Sequence, residues 1–316
     1  MKNKGTILVM GGLVRDVVYC IDHYPARGMD AVITAKKEIP GGCPLNVAIA
    51  LKNLGLNPYI VAALGDTAAD RALAAYLSER GLLDDCVCAE KEGETGFCVN
   101  IVEKDGERTF LTYKGIESIF RESMIPDHLM PEISYVYLTG YYLQEREYYE
   151  PILNTLGRLR DRGAVILFDP GSLVSEIDPK TLSRVLELSF CVTPNEQEWK
   201  LIEHALKPKR SLLHRLFDGG TRLVLLKNGK HGVRAVTPER EVRSYPYDVA
   251  TIDTTGAGDC FAAGILYSLV AGENLERSLA FAGACGSLAT TFSGPHGEFD
   301  RTDIDRIIAE ARELRV

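Results

Sequence analysis

AVILFDPGSLVSEIDPKTLSRVLELSFCVTP, residues 164–194, sets an apolar run, a helical pattern and a second apolar run in succession. The runs 164–169 and 190–194 are short and almost continuously apolar, as strands buried on both faces of a parallel sheet are. Outward from this unit the same grammar repeats. TILVM (6–10), YIVAAL (59–64), YVYLTG (135–140) and LVLLK (223–227) are further runs of the kind. Between them lie helical patterns over Leu45 to Leu54, Asp66 to Arg80, Tyr148 to Arg162, Pro179 to Leu188 and Gly258 to Val270, the last with Phe261, Ile265 and Leu269 on one face. Strand and helix alternate for most of the length, which predicts an α/β fold: a doubly wound, mostly parallel sheet flanked by helices.

Two stretches break the alternation. Residues 15–38 and 96–113 read as pairs of strands with polar turns, Pro25 to Gly28 in one and Asp105-Gly106 in the other. They predict a small antiparallel sheet outside the main one, placed as a lid. No repeat, low-complexity tract or linker divides the chain, so residues 1–316 read as one domain with the lid inserted in it.

Composition narrows the function. Lys plus Arg total 36 against 44 for Asp plus Glu, a net charge of −8, with no basic cluster interleaved with aromatics. A nucleic-acid or anionic-membrane partner is not expected. No apolar run approaches the roughly 18 residues of a membrane span, and the start reads as a buried strand rather than a leader, so a cytoplasmic protein is expected. The eight cysteines lack metal-site spacing and read as reduced thiols.

The sharpest chemical signal is IDTTGAGDCFAAGILYSL, residues 252–269. An extended segment that turns at Thr255-Gly256-Ala257-Gly258 and enters a helix aims backbone N–H groups at one point, where the helix dipole adds positive charge. That is an anion hole. Asp259 follows in the first turn and has two readings. It either complements the dipole or, with phosphate in the turn, accepts the proton of a hydroxyl attacking that phosphate. Neither a Walker A nor a GxGxxG fingerprint is present. In a second segment, EIPGGCPLNVAIALKNLG (38–55), the diglycine Gly41-Gly42 lets a polyhydroxylated ligand approach the backbone before a helix carrying Asn46. Asn46 offers a donor and an acceptor together, and Asp16, after the first strand, offers two acceptors.

These segments resemble the two signature regions of the ribokinase family, the PfkB carbohydrate kinases. Asp16 in GGLVRD, the quartet Asn195-Glu196-Gln197-Glu198 and the glycine turn at Gly229 and Gly232 in LKNGKHGV extend the resemblance from about residue 6 to residue 300. It implies a ribokinase-like fold and ATP-dependent phosphorylation of a sugar-like hydroxyl held between the sheet's carboxyl edge and the lid. By the same resemblance Asp259 is the base, Gly256, Ala257 and Gly258 the anion hole, and Asp16, Gly41, Gly42 and Asn46 the sugar ligands. Asn195 and Glu198 are implied to organise the phosphates and a hydrated Mg²⁺, with Gly229 and Gly232 at the nucleotide. Lys227-Asn228 departs from the Thr or Ser common there, so Lys227 either contacts phosphate or ribose or is a strand-end charge, the reading preferred. Asp253 and Thr255, with carbonyls of 293–297, are implied ligands of a monovalent cation, although Glu298 departs from the pattern and leaves K⁺ open.

Three functions compete: a sugar kinase, a nucleoside kinase of the same fold and a non-catalytic sensor. Phe97, Phe110 and Tyr113 are candidates to stack on a nucleoside base, though aromatics on strands equally serve as lid core or dimer contact. The intact Asp259 argues against the sensor. The six histidines read as surface or second-shell residues and Trp199 as packing. A sheet of about four strands needs a partner surface, which predicts a homodimer through the lid.

Overall fold

The computed structural model describes residues 5–105 and 107–313. Gly106, half of the expected turn Asp105-Gly106, lies outside the described residues. The chain begins with β1 (Thr6–Met10), β2 (Val14–Ile21) and β3 (Ile33–Gly41), then α1 (Cys43–Asn53), with Pro44 in its first turn. Next come β4 (Pro58–Leu64), α2 (Ala68–Glu79), β5 (Val87–Ala89), β6 (Thr95–Val102), β7 (Arg108–Gly115) and β8 (Ile133–Thr139). α2 is capped by Thr67, whose hydroxyl accepts from the Asp70 N–H while the Asp70 carboxylate accepts from the Thr67 N–H. The alternation resumes with α3 (Tyr149–Asp161), β9 (Val165–Asp169), α4 (Pro179–Leu188), β10 (Cys191–Val192), α5 (Glu196–Leu206), α6 (Leu212–Gly219) and β11 (Leu223–Lys227). An antiparallel pair, β12 (Val233–Val236) and β13 (Glu241–Ser244), precedes α7 (Ala257–Ala271), α8 (Leu275–Ala289) and α9 (Arg301–Glu313).

The main sheet runs β13-β12-β11-β10-β9-β8-β1-β4-β5, parallel from β11 to β5. Successive side chains on a strand point to opposite faces, which sorts the core into two layers. Ile7 and Val9 pack with Val47, Leu51, Phe261 and Ile265, beneath α1 and α7. Leu8 and Met10 pack with Ile152, Leu156, Val185 and Leu216, beneath α3, α4 and α6. The expected doubly wound α/β fold is therefore present, and the five expected helices fall within two residues of their sequence bounds.

The second sheet has the order β3-β2-β6-β7. Each of the two expected strand pairs is an antiparallel hairpin, and the hairpins join through parallel pairing of β2 with β6. That parallel junction is not visible in local sequence, because it is set by where the main sheet releases the two hairpins. Among the described residues no helix is long and apolar enough to cross a membrane.

Helices α7 and α8, in the same layer, meet closely. A Cβ added to Gly264 on α7 would stand 2.7 Å from the Ala282 Cα and 3.1 Å from the Cys285 Sγ on α8. Helix backbones cannot yield to that without separating. Gly264→Ala is thus expected to destabilise the fold by about 1–3 kcal/mol despite alanine's better helix propensity. A urea midpoint that stays put or rises would contradict this packing.

Candidate active site

Main-sheet strands deliver their last residues to one edge. β9 ends on Asp169, β11 on Lys227 and β8 on Thr139, and Asn195 follows β10. Ligands of open α/β sheets bind outside such carboxyl ends. A cleft of about 870 Å³ opens there, and Asn195, Glu198, Lys227, Gly229 and Gly232 all line it. Gly256, Ala257, Gly258 and Asp259 line it too.

The turn before α7 depends on Gly256, whose φ of 77° is in the left-handed region, with Pro295 packed where a side chain would go. First-turn N–H groups have no acceptor within a helix. That of Ala257 turns back to the Thr254 carbonyl at 3.3 Å. Asp253 braces this turn. Its Oδ1 accepts from the Thr255 N–H (3.0 Å) and hydroxyl (2.7 Å), and its Oδ2 accepts from the Gly294 N–H (3.1 Å). Glu298 is exposed.

Asp259 is only 9% exposed. Its Oδ2 accepts from the Asn46 Nδ2 at 2.7 Å, so two segments 213 residues apart converge on one carboxylate. Burial pushes its pKa up to about 7, against the bond from Asn46, and the Asp169 charge adds to the rise. A group so tuned can give or take a proton near neutrality.

Asp16 and Gly41 stand apart from the cleft wall, where β2 and β3 leave the main sheet. The Asp16 Oδ1 accepts from the Asn100 Nδ2 of β6 at 3.2 Å, and burial raises the Asp16 pKa. The Oδ2 occupies the space that a side chain at Gly41 would fill. Gly42 takes a φ of 96° at the start of α1, and a Cβ there would approach the Gly12 carbonyl to 2.8 Å. Strand alternation separates the three aromatic candidates. Phe110 pairs with Asn100, on the Asp16 side, while Phe97 and Tyr113 pair on the other side with Arg15 over the Phe97 ring.

Asn195 and Glu198 form a capping box at α5. The Asn195 N–H donates to the Glu198 Oε2 (2.8 Å), the Glu198 N–H to the Asn195 Oδ1 (2.8 Å), and the Asn195 Nδ2 to the Glu198 Oε1 (2.9 Å). This box buries the Glu198 carboxylate on the cleft wall, which raises its pKa.

Lys227 does end a strand, yet its ammonium turns inward. It donates to the Asp169 Oδ2 at 3.0 Å and lies 3.6 Å from where a Gly258 Cβ would be. Burial opposes its charge, but Asp169 and Glu198 carry its pKa above the ordinary value. Sequence reasoning missed Asp169, Cys43 and His296. Asp169 had a signal, a carboxylate on the last residue of a buried run. Cys43 faces Asp259, which raises the thiol's pKa beyond what burial does. His296 gave no local signal, since its partner Asn46 is 250 residues away.

This chain matches the pfkB family carbohydrate kinase model over residues 6–299. It is 26% identical over 290 residues to the uncharacterized sugar kinase YegV of Escherichia coli, covering 91% of this chain and 89% of that one. It is 25% identical over 305 residues to the ribokinase of Bacillus subtilis, covering 96% and 99%. Its fold is that of the fructokinase of Xylella fastidiosa solved with bound ATP, with a TM-score of 0.85 at 22% identity over 98% of this chain and 99% of that one. A putative ribokinase II of Escherichia coli, solved with ATP and Mg²⁺, superposes with a TM-score of 0.81 at 20% identity over 97% and 99%. With a match that runs through both converging segments, the chain belongs to the pfkB family of carbohydrate kinases.

Proposed function

We propose that this sugar kinase moves the γ-phosphoryl group of ATP onto a sugar hydroxyl, with Asp259 as the base that takes the hydroxyl's proton. The observation that carries the assignment is the buried Asp259 carboxylate, fixed by Asn46 beside the α7 turn and tuned to about pH 7. A carboxylate next to a phosphate site is unfavourable unless it has proton work to do. Phosphoryl transfer otherwise needs placement and neutralised charge, which the first-turn N–H groups and Lys227 supply on the protein's side. Asp169 holds the Lys227 ammonium at the turn. Asp16, Gly41, Gly42 and Asn46 orient the sugar, with the second sheet closing over it as a lid. Gly229 and Gly232 bend the chain beside the nucleotide. Asp253 and Thr255, with 293–297, are the place for a monovalent cation.

Mg²⁺ fits the donors at hand as an ion carried by ATP. Among the described residues no cluster of three or more His, Cys, Asp or Glu side chains could cage a metal. Glu198 and Asn195 would hold its waters, and the ion would neutralise phosphate charge.

Asp259→Asn keeps the shape and should cut turnover roughly 10²- to 10⁴-fold while ATP binding survives. If Asp259 only complements the helix dipole, turnover stays and stability alone drops slightly. The raised pKa gives the sign of the pH effect: below about 7 the base is protonated, so kcat/KM for the sugar should rise with pH and level off above 7. A profile flat down to pH 5 would exclude Asp259 as the titrating base.

Nucleotide-free protein should retain no stoichiometric Mg²⁺ after dialysis, as metal analysis would reveal; a tightly held equivalent would contradict the shared-ion reading.

The second sheet exposes Leu111 and Tyr113 on its Phe97 side, with Ile33 at the start of β3 and Met29 and Val32 in the loop before it. We infer that a second copy covers this face. Light scattering at micromolar concentration should give a dimer that Leu111→Glu weakens, and a monomeric mass for the unaltered protein would refute it.

A further inference from the structure

A line of contacts continues past Asn46, away from the cleft. The His296 Nε2 lies 2.9 Å from the Asn46 Oδ1, and its Nδ1 lies 2.8 Å from the hydroxyl of Tyr76 on α2. The Tyr76 and His296 rings stack with centroids 5.9 Å apart and planes at 27°. Arg80, which caps the end of α2, lies over the Tyr76 ring with its guanidinium carbon 3.6 Å from the centroid. Asn46 itself is 7% exposed, so an amide oxygen there needs a protein partner.

The direction of every hydrogen bond follows from one fixed point. An ionised carboxylate only accepts, so Asn46 must present its NH₂ to Asp259 and its oxygen to His296. That oxygen only accepts, so His296 must carry its proton on Nε2. The Nδ1 is then an acceptor and takes the Tyr76 hydroxyl proton. All three donors point toward Asp259. Burial and the nearby Arg80 guanidinium keep the imidazole neutral, with its pKa pushed down to about 4.

We propose that His296 is a positioning residue for the phosphoryl transfer: through its Nε2–H it fixes the Asn46 amide, which in turn holds the Asp259 carboxylate aimed at the acceptor hydroxyl, with Tyr76 setting the histidine tautomer. This inference rests on the reading of Asp259 as the base. Without His296 the Asn46 oxygen loses its donor, and the amide is held at one end only, by its bond to Asp259. Its plane, and the carboxylate it fixes, are then free to shift.

Small misplacement of a catalytic group costs rate far more than affinity. His296→Leu should therefore lower kcat about ten- to a hundred-fold with the sugar KM changed less than threefold. His296→Gln, whose amide can donate to Asn46 and accept from Tyr76, should recover kcat to within about threefold. In an Asp259→Asn background, His296→Leu should add less than a twofold further loss, because the base it positions is already gone. In the unaltered protein at pH 8, ¹⁵N NMR should find His296 protonated on Nε2 and bare on Nδ1. Four results would overturn the proposal: a folded His296→Leu within twofold of the original, equal losses for Leu and Gln, a full additional loss in the Asp259→Asn background, or a proton on Nδ1. The underlying reading fails separately. An active Asp259→Asn would remove the base, whereas an inactive Asp259→Asn beside an active His296→Leu keeps the base and removes His296.

Discussion

The hydrogen bond from Asn46 to Asp259 is the joint on which the site depends. α1 and α7 bring the two residues together on one side of the sheet, both in first turns, and both helices start from glycines with positive φ. Helices packed in the same layer over β1 hold those starts fixed. Glycine at 264 lets α8 lie close against α7 and support it from behind. The fold thus invests close helix packing in the placement of one carboxylate.

Charge explains why that carboxylate is unusual. Lys227 faces Asp169, Glu198 and Asp259 at the mouth of the cleft. One ammonium among three carboxylates leaves the region acidic, and each carboxylate that burial raises is one that resists holding its charge there. Such a site takes up phosphate only when further positive charge comes with it. Helix-start N–H groups provide part, and a cation bound to the nucleotide provides the rest. Burial, reinforced by the Asp169 charge, gives Asp259 its affinity for a proton.

Much of this was legible in the sequence. The short apolar runs announced the parallel sheet, because strands covered on both faces have no polar side to alternate with. The glycine turn before Asp259 and the diglycine before Asn46 announced the two helix starts, since positive φ and close approach demand glycine. What escaped was non-local. The parallel union of β2 with β6 depends on where the main sheet releases two hairpins, and the inward turn of Lys227 depends on Asp169 two strands away. α8, with its small residues LERSLAFAGACGSLA, lacks the polar face by which an amphipathic helix is recognised. His296 looked like a surface or second-shell side chain because the bond that gives it a task spans the whole chain.

If Asp259 is the base, it meets the hydroxyl that is phosphorylated. A crystal structure with an accepted sugar, Mg²⁺ and a non-hydrolysable ATP analogue tests it directly. The acceptor hydroxyl should lie within about 3.2 Å of an Asp259 carboxylate oxygen and point at the γ-phosphorus from the side opposite the leaving group. A hydroxyl held in line by other groups, with Asp259 turned away from it, would rule out Asp259 as the base.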